Sequence, residues 1–582
     1  MASLKPVSDD SANIARHLPL MAARQPDRPA VKIPRGRTSA GRIDYLTLTF
    51  AELDAEVDAW CADLTLRGVR QGDRTLVMVR QGLPLIAAAF ALFKLGAVPV
   101  VIDPGMGLRS FLSCVDRSRP RVLLGIPFAR LVSRVFRRSF RSIAIRVPVS
   151  GSMIAQKADR KSKVDNRQSP IASSAANDLA AVLFTSGSTG APKGVCYEHG
   201  MFDAQVRLVR ETYAIEPGEI DLPLLPVFAL FGPALGLTTI VPEIDPSRPA
   251  AVDPEKIVAA IRQEDVTNSF GSPTLWRKVA DYCLARNLTL PSMRRILCAG
   301  APVPSSLWAD APRFLTQGRL HSPYGATEVL PVSTISADEI DLASVKGACV
   351  GTPLPANRVK IIAIHDGPIA TLADAQEYAA GRIGEIIVTG PTVTREYDRL
   401  PEATLRAKIQ TPSSKPKEDP QSPDLLGTWN LKPGTSAPAG AVWHRMGDAG
   451  YLDAENRLWF CGRVAERVET EAGPMFAEPC EQVFRAHPQV ARCALIGLDD
   501  RGRQIPAIVI EPKPGVPLRS AGSRQTLASA LRELALQHTH TAAIRRFYFH
   551  THLPVDVRHN AKIHRLALAR WAANRNGVAF RE

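Results

Sequence analysis

At 582 residues, 45% of them hydrophobic, the chain is long enough for more than one domain and apolar enough to fill sizeable cores. Its nine cysteines are scattered singly with no CxxC pair, which excludes zinc-ribbon and thioredoxin-type chemistry and fits a reducing, cytoplasmic setting better than a disulfide framework. The net charge of +15 is compatible with an anionic partner, but aromatic interleaving is thin and no nucleic-acid-binding motif accompanies it, so nucleic acid is not expected as a ligand.

The N-terminus has no basic stretch leading into a long apolar core, so no secretion signal is expected. "FAELDAEVDAWCADLTLRG" has a helical pattern and "RTLVMV" that of a strand. "LPLIAAAFALFKLGAVPVVIDPG" is the most apolar stretch. Lys94 and Gly96 cut it well short of the ~20 residues that a membrane span needs, so it reads as a buried helix, ended near Gly96, that feeds a buried strand; no transmembrane segment is expected. "RVLLGI" continues the alternation. From Arg117 through Lys157 there is no Asp or Glu, while Arg130, Arg134, Arg137, Arg138, Arg141 and Arg146 all occur; a solvated basic face is the plainest account. The polar stretch around 155–177 reads as a loop. Repeated strand–helix alternation predicts an α/β architecture with mostly parallel sheets. Between Thr411 and Gly440 six prolines and little periodicity mark an irregular insertion. After "LWFCGR" the pattern changes to a small α+β unit, which gives a large domain over 1–462 and a small one over 463–582.

"LAAVLFTSGSTGAPKGV" (Leu179–Val195) is an apolar strand running into a Gly/Ser/Thr loop. Thr185, Ser186, Gly187, Ser188, Thr189 and Gly190 carry little side-chain bulk, so backbone N–H groups and hydroxyls can meet an anion, and Lys193 adds an ammonium. Pro192 stands where a Walker A loop needs glycine, so this is a phosphate loop of another kind. At the other end, "LPVDVRHNAKIHRLALARWA" concentrates Arg558, His559 and Lys562. Asn560 reads as a helix cap, which puts Lys562 in the first turn, where the helix dipole disfavours a cation unless an anion arrives.

"FTSGSTGAPKG" resembles the signature of the adenylate-forming superfamily of acyl-CoA synthetases, adenylation domains and luciferases, and further motifs follow in order. "CAGAPVP" resembles the loop against adenine (Gly300, Ala301, Pro302). "YGATE" resembles the motif in which Tyr324 stacks on adenine beside Gly325 and Ala326, Thr327 contacts the α-phosphate and Glu328 ligands Mg2+. "MGDAGYLD" supplies Asp448 for the ribose hydroxyls, "FCGR" supplies Arg463 at the hinge, and Lys562 falls at the position of the family's catalytic lysine. The resemblance implies ATP and Mg2+, a large α/β domain with a small mobile α+β C-terminal domain, and catalysis by Lys562, Glu328 and Thr185. It covers nearly the whole chain apart from the polar loop and the 411–440 insertion.

Thiol-transfer members usually carry a basic hinge pattern, whereas here Ala465 and Glu469 stand in "GRVAERVETEAGPMF", and "FALFGPALG" lacks a frequent histidine. Together with "RVETEAGP" and "LPVDVRHNAKI" these features resemble the β-lactone synthetases of bacterial long-chain olefin biosynthesis. That resemblance implies adenylation of a long-chain 2-alkyl-3-hydroxy fatty acid, closure by its own 3-hydroxyl, and a pathway thiolase, reductase and β-lactone decarboxylase as neighbours. A long-chain acyl-CoA synthetase is the alternative; a non-catalytic nucleotide-binding scaffold fits less well with the intact motif set. Phe228, Leu230, Phe231, Leu235, Phe270, Trp276 and Leu330 are the candidate acyl-pocket residues, and His321 the candidate base for closure.

Overall fold

A computed structural model describes residues 12–149, 169–185, 191–245, 251–411, 440–500, 502–516, 518, 520–555 and 562–581. The polar stretch 150–168, Ser186–Gly190, most of the proline-rich insertion, and Arg558, His559 and Asn560 lie outside the described residues.

The expected α/β architecture is present. One six-stranded sheet runs in the order 145–148, 122–125, 74–78, 98–102, 179–185, 193–198 and is parallel except for its last hairpin. A nine-stranded sheet has a parallel centre, with 268–271, 295–298 and 319–326 side by side, and antiparallel edges. The helices Phe50–Leu66 and Leu83–Lys94 share one core with strands of both sheets, among them Val122, Leu124, Val31 and Val241. Being covered on all sides accounts for the Leu83–Lys94 sequence: all of it but Pro84 and Leu85 is buried. Its buried Lys94 is paired with Asp58 at 2.6 Å, and Gly96, at φ +66°, turns the chain into Val98–Ile102.

A third, antiparallel sheet pairs Val442–Leu452 with Leu458–Arg463 and with Gly384–Thr389. The chain after Arg463 builds its own cores around the sheet 490–500, 503–512, 546–549, 578–579, with the helices Ala477–Arg485, Ala521–Leu536 and Arg565–Ala573. This part meets the rest through a reciprocal pair, Gly347 N to Gln482 Oε1 (3.1 Å) and Gln482 Nε2 to Gly347 O (2.9 Å), and through Arg467 to Asp366 at 3.2 Å.

One local expectation is overturned. The final helix begins at Arg565, not after Asn560, so Lys562 precedes it instead of sitting in its first turn. Strand-like pairing wins here: Ile563 bridges Val555 antiparallel and His564 N donates to Pro554 O at 2.9 Å, which holds Lys562–His564 out of helical geometry. The segment is pinned by Arg565, whose guanidinium forks onto Glu481 (2.8 and 2.9 Å) and reaches Glu466 at 3.0 Å. Glu481 is almost wholly buried. Replacing Arg565 by methionine strands that carboxylate, so we expect a loss of about 3–5 kcal/mol, read as a lower denaturation midpoint for the C-terminal unit. A midpoint equal to wild type rules out the clamp.

Candidate active site

The phosphate-loop hairpin sets Thr185 opposite Lys193 at its base. Arg117 donates to Pro192 O at 2.7 Å and Asp398 N to Gly194 O at 2.7 Å, fixing where the loop leaves the sheet. Lys193 Nζ lies 4.9 Å from the centre of the Tyr397 ring, a cation–π arrangement. Ser186, Gly187, Ser188, Thr189 and Gly190 lie outside the described residues.

Strands 319–326 and 329–336 form a hairpin with Ala326 opposite Val329, so Thr327 and Glu328 occupy a tight turn at its tip. Gly325 is required by a close approach: a Cβ there would stand 2.6 Å from Val329 O and 2.8 Å from a Leu330 methyl. The tip is held from three sides. Tyr197 OH donates to Thr327 O, Thr394 N to Glu328 O at 2.9 Å, and Tyr397 OH to Glu328 Oε1 at 2.8 Å. The adenine-side loop follows strand 295–298, with Gly300 at φ +97° leading to Ala301 and Pro302.

Asp448 and Arg463 are cross-strand partners, joined at 2.6 Å. Tyr324 OH donates to the other Asp448 oxygen at 2.7 Å. Burial raises the Asp448 carboxyl, while Arg463, Tyr324 and Lys562 pull it down. The Lys562 charge is therefore felt at Asp448, across the junction between the two parts of the chain. Tyr324, Asp448 and Arg463 come together, with Lys562 on the side from which its charge acts on Asp448, whereas Thr185, Lys193, Thr327 and Glu328 gather around Tyr397 and its neighbours.

The donor set at Glu328 suits a hard divalent cation. One carboxylate oxygen is taken by Tyr397 and the side of the turn is partly open. Among the described residues no cluster of three His, Cys, Asp or Glu side chains exists. A Mg2+ ion at Glu328 would thus take its other ligands from phosphate oxygens and water, as Mg2+ on a nucleotide usually does.

Tyr397, Thr394 and Lys408 carry no motif and were not singled out from the sequence. Lys408 is buried, donates to Thr394 Oγ1 at 3.1 Å and lies 5.8 Å from the Tyr397 ring; burial lowers its ammonium to about 7, against the raising effect of Glu328. Nothing in the three-residue strand Lys408–Gln410, which reads Lys-Ile-Gln, marks that lysine out.

An apolar cavity of about 70 Å³ lies between the helix His199–Tyr213 and the nine-stranded sheet. Phe228, Phe231, Leu235, Phe270 and Leu330 line it. Phe228 is stacked on Phe270 with ring centres 3.5 Å apart. Two expected lining residues, Trp276 and Leu230, and the candidate base His321 do not line it. Trp276 is fully buried in the core of the nine-stranded sheet, because its helix Pro273–Ala285 turns that face inward. Leu230 packs on the cores beside Leu83–Lys94. His321 does not line the cavity; its ring is edge-on to Tyr213 at 5.5 Å, with its imidazole lowered mainly by burial. Tyr213 and, unexpectedly, Asp221 face the cavity instead.

A family profile described as AMP-binding enzyme matches residues 20–398. An olefin β-lactone synthetase of Xanthomonas campestris pv. campestris is 43% identical over 572 residues, covering 96% of this chain and 97% of that protein. One of Stenotrophomonas maltophilia is 41% identical, covering 96% and 98%. Among solved structures, an anthranilate–CoA ligase in complex with anthranoyl-AMP superposes with a TM-score of 0.73 at 18% identity over 97% of this chain and 98% of its own. An amide bond synthetase from Marinactinospora thermotolerans gives 0.73 at 21%, over 96% and 99%; at these identities the likeness speaks for the fold.

Proposed function

The chain belongs to the AMP-binding enzyme family, and from that premise we propose that it uses ATP to adenylate a long-chain 2-alkyl-3-hydroxy fatty acid and then closes the product to a β-lactone. The observation that carries this reading is the near full-length similarity, at 43% and 41%, to two olefin β-lactone synthetases.

In the first step a carboxylate oxygen attacks the α-phosphorus of ATP, the bond to the β-phosphate oxygen breaks, and pyrophosphate leaves. Both reactants are anionic, so preorganised positive charge is what lowers the barrier. Lys193, Lys562 and the Thr185 and Thr327 hydroxyls are the groups placed to supply it, and Asp448 with Tyr324 holds the nucleoside. A bound Mg2+ would neutralise phosphate charge at Glu328. In the second step the substrate's own 3-hydroxyl oxygen attacks the acyl carbon, the C–O bond to AMP breaks, and the hydroxyl proton passes to a base or to solvent. A tethered nucleophile makes this step unimolecular, with effective molarities of about 10^5 M or more available to a well-oriented group.

Ala465 and Glu469 fit a hinge that has no CoA to admit. Arg467 pairs with Glu469 and with Asp366, so the basic group at this hinge is already neutralised by carboxylates. We take 463–582 as the unit that delivers Lys562, and Phe228 and Phe270 as the rings that part when a chain enters. A thiolase and a reductase supplying the hydroxy acid, and a decarboxylase consuming the lactone, are the expected neighbours, in the cytoplasm. The test is incubation with ATP, Mg2+ and a 2-alkyl-3-hydroxy acid, with and without CoA. Lactone, AMP and pyrophosphate are expected at the same rate in both; a thioester formed only with CoA replaces this reading by that of an acyl-CoA synthetase.

A further inference from the structure

The helix Pro127–Val135 packs on the six-stranded sheet through buried Ala129 and Ser133, with Val132 against the core. Its opposite side is left uncovered. Phe128, Leu131 and Val135 are 66%, 56% and 65% exposed, and their i, i+3, i+7 spacing sets them in one stripe along the outer face. Scattered exposed apolar residues need no explanation, but three large ones aligned on nine residues of helix do.

Among the described residues the groups that flank the stripe in sequence are mainly basic. Arg134 is exposed on the same helix, Arg137 and Arg138 follow in the turn after it, and Arg141 lies beyond them. No Asp or Glu occurs between Arg117 and Lys157; the acidic contact in the neighbourhood is Asp116, 3.3 Å from Arg141. The adjacent helix Leu108–Ser118 packs on the same sheet face through Phe111, Cys114 and Val115. It begins with Leu108, 54% exposed, followed by an exposed Arg109.

From this juxtaposition of an exposed apolar stripe with exposed arginines on and just after the same helix, we infer that the Pro127–Val135 face docks on a membrane surface containing anionic phospholipid. A short helix of this kind lies in the interface plane, its apolar side among the upper acyl carbons and its arginines at the headgroup phosphates. An acidic protein surface would satisfy the arginines but offers no general place for three adjacent large apolar side chains, whereas a bilayer interface accepts both. No described helix is long and apolar enough to cross a membrane, and the docking inferred is at the surface. It also matches the reaction assigned above, whose substrate and product are water-insoluble, but it stands on the geometry alone.

The test is co-sedimentation of the full-length protein with vesicles of phosphatidylcholine alone and of phosphatidylcholine with about one third phosphatidylglycerol, without ATP or acid, so the result does not depend on the reaction. Binding is expected to the anionic vesicles only, and to weaken as salt rises. The triple variant Phe128→Ser, Leu131→Ser, Val135→Ser and the triple variant Arg134→Gln, Arg137→Gln, Arg138→Gln should each lose about tenfold or more in partitioning. Both change exposed positions, and ATP–pyrophosphate exchange with a short soluble acid checks that they are folded. Wild-type protein left in the supernatant with anionic vesicles overturns the inference. So does a serine variant that binds as well as wild type, or one that converts an oligomer to a monomer, which would make this face a contact between copies.

Discussion

Lys562→Ala is expected to lower ATP–pyrophosphate exchange by about 10^2–10^3-fold, the cost typical of removing one group that stabilises charge developing in a transition state. AMP should still bind, because Tyr324, Asp448 and Arg463 hold one another without the lysine at 2.7 and 2.6 Å. The expectation follows from where the structure puts the side chain. Lys562 is exposed on its own unit, yet its charge reaches Asp448 on the other side of the junction. The bridge at Ile563 and the Arg565 fork fix the backbone that carries it. Lactone closure of a presynthesised 3-hydroxyacyl-adenylate, with release of AMP, should be much less affected, since the repulsion between carboxylate and triphosphate is then already overcome. Equal losses in both half-reactions would assign Lys562 to general folding or nucleotide binding and remove it from the adenylation step.

The contrast between Lys562 and its helix shows what a sequence of this kind discloses. The motif strings single out the Thr185–Lys193 loop, Asp448 and Arg463 because each lies in a run of contiguous residues with a local geometric purpose. The Gly325 turn is such a case: the steric reason for glycine lies within five residues of chain. Helix start at residue 565 was not legible, because Asn560 is a good local cap and the bridge to Val555 that overrides it is a tertiary decision. Trp276 failed in the same way. Phe270, on the strand just before its helix, borders the cavity, but the face of a helix that meets a cavity depends on how the whole helix is rotated over the sheet. Tyr397, Thr394 and Lys408 come from a strand and a loop more than sixty residues beyond Glu328, and nothing local announces that they converge on it.

Asp221 is the residue whose meaning emerges only from packing. It stands on the short strand Ile220–Asp221, between Thr239 and Asn268 on the neighbouring strands, and lines the apolar cavity with Phe228, Phe231 and Leu237. Burial, reinforced by Glu219, pushes its carboxyl up to about 8. The surrounding charges do not offset this. Arg295 is engaged with Glu219 at 2.6 Å and with Asn268 at 2.8 Å, Asn268 also donates to Glu219 at 2.9 Å, and His321 is edge-on to Tyr213 with its own charge disfavoured. A carboxyl whose folded pKa is raised gives its full share of stability below its unfolded value near 4, and loses it as pH rises through about 8. Wild-type protein should therefore weaken progressively between about pH 4 and 8, and Asp221→Asn should weaken less, by about 2–4 kcal/mol at the upper end. Glu198, raised to about 7, and Lys408, lowered to about 7, titrate in the same window in both proteins, so the difference between the two curves isolates Asp221. With the acyl chain in this cavity, as proposed, the same ionisation would put a charge in its path, and an apolar chain cannot replace the water that charge needs. The KM for a long acid should climb above pH 8 in the wild type and stay level in Asp221→Asn, while the KM for ATP moves alike in both. Parallel stability curves would mean that Asp221 stays hydrated and that the cavity is open to water at that end. Parallel KM curves with divergent stability would instead place the acyl chain elsewhere and leave this cavity a packing defect of the fold.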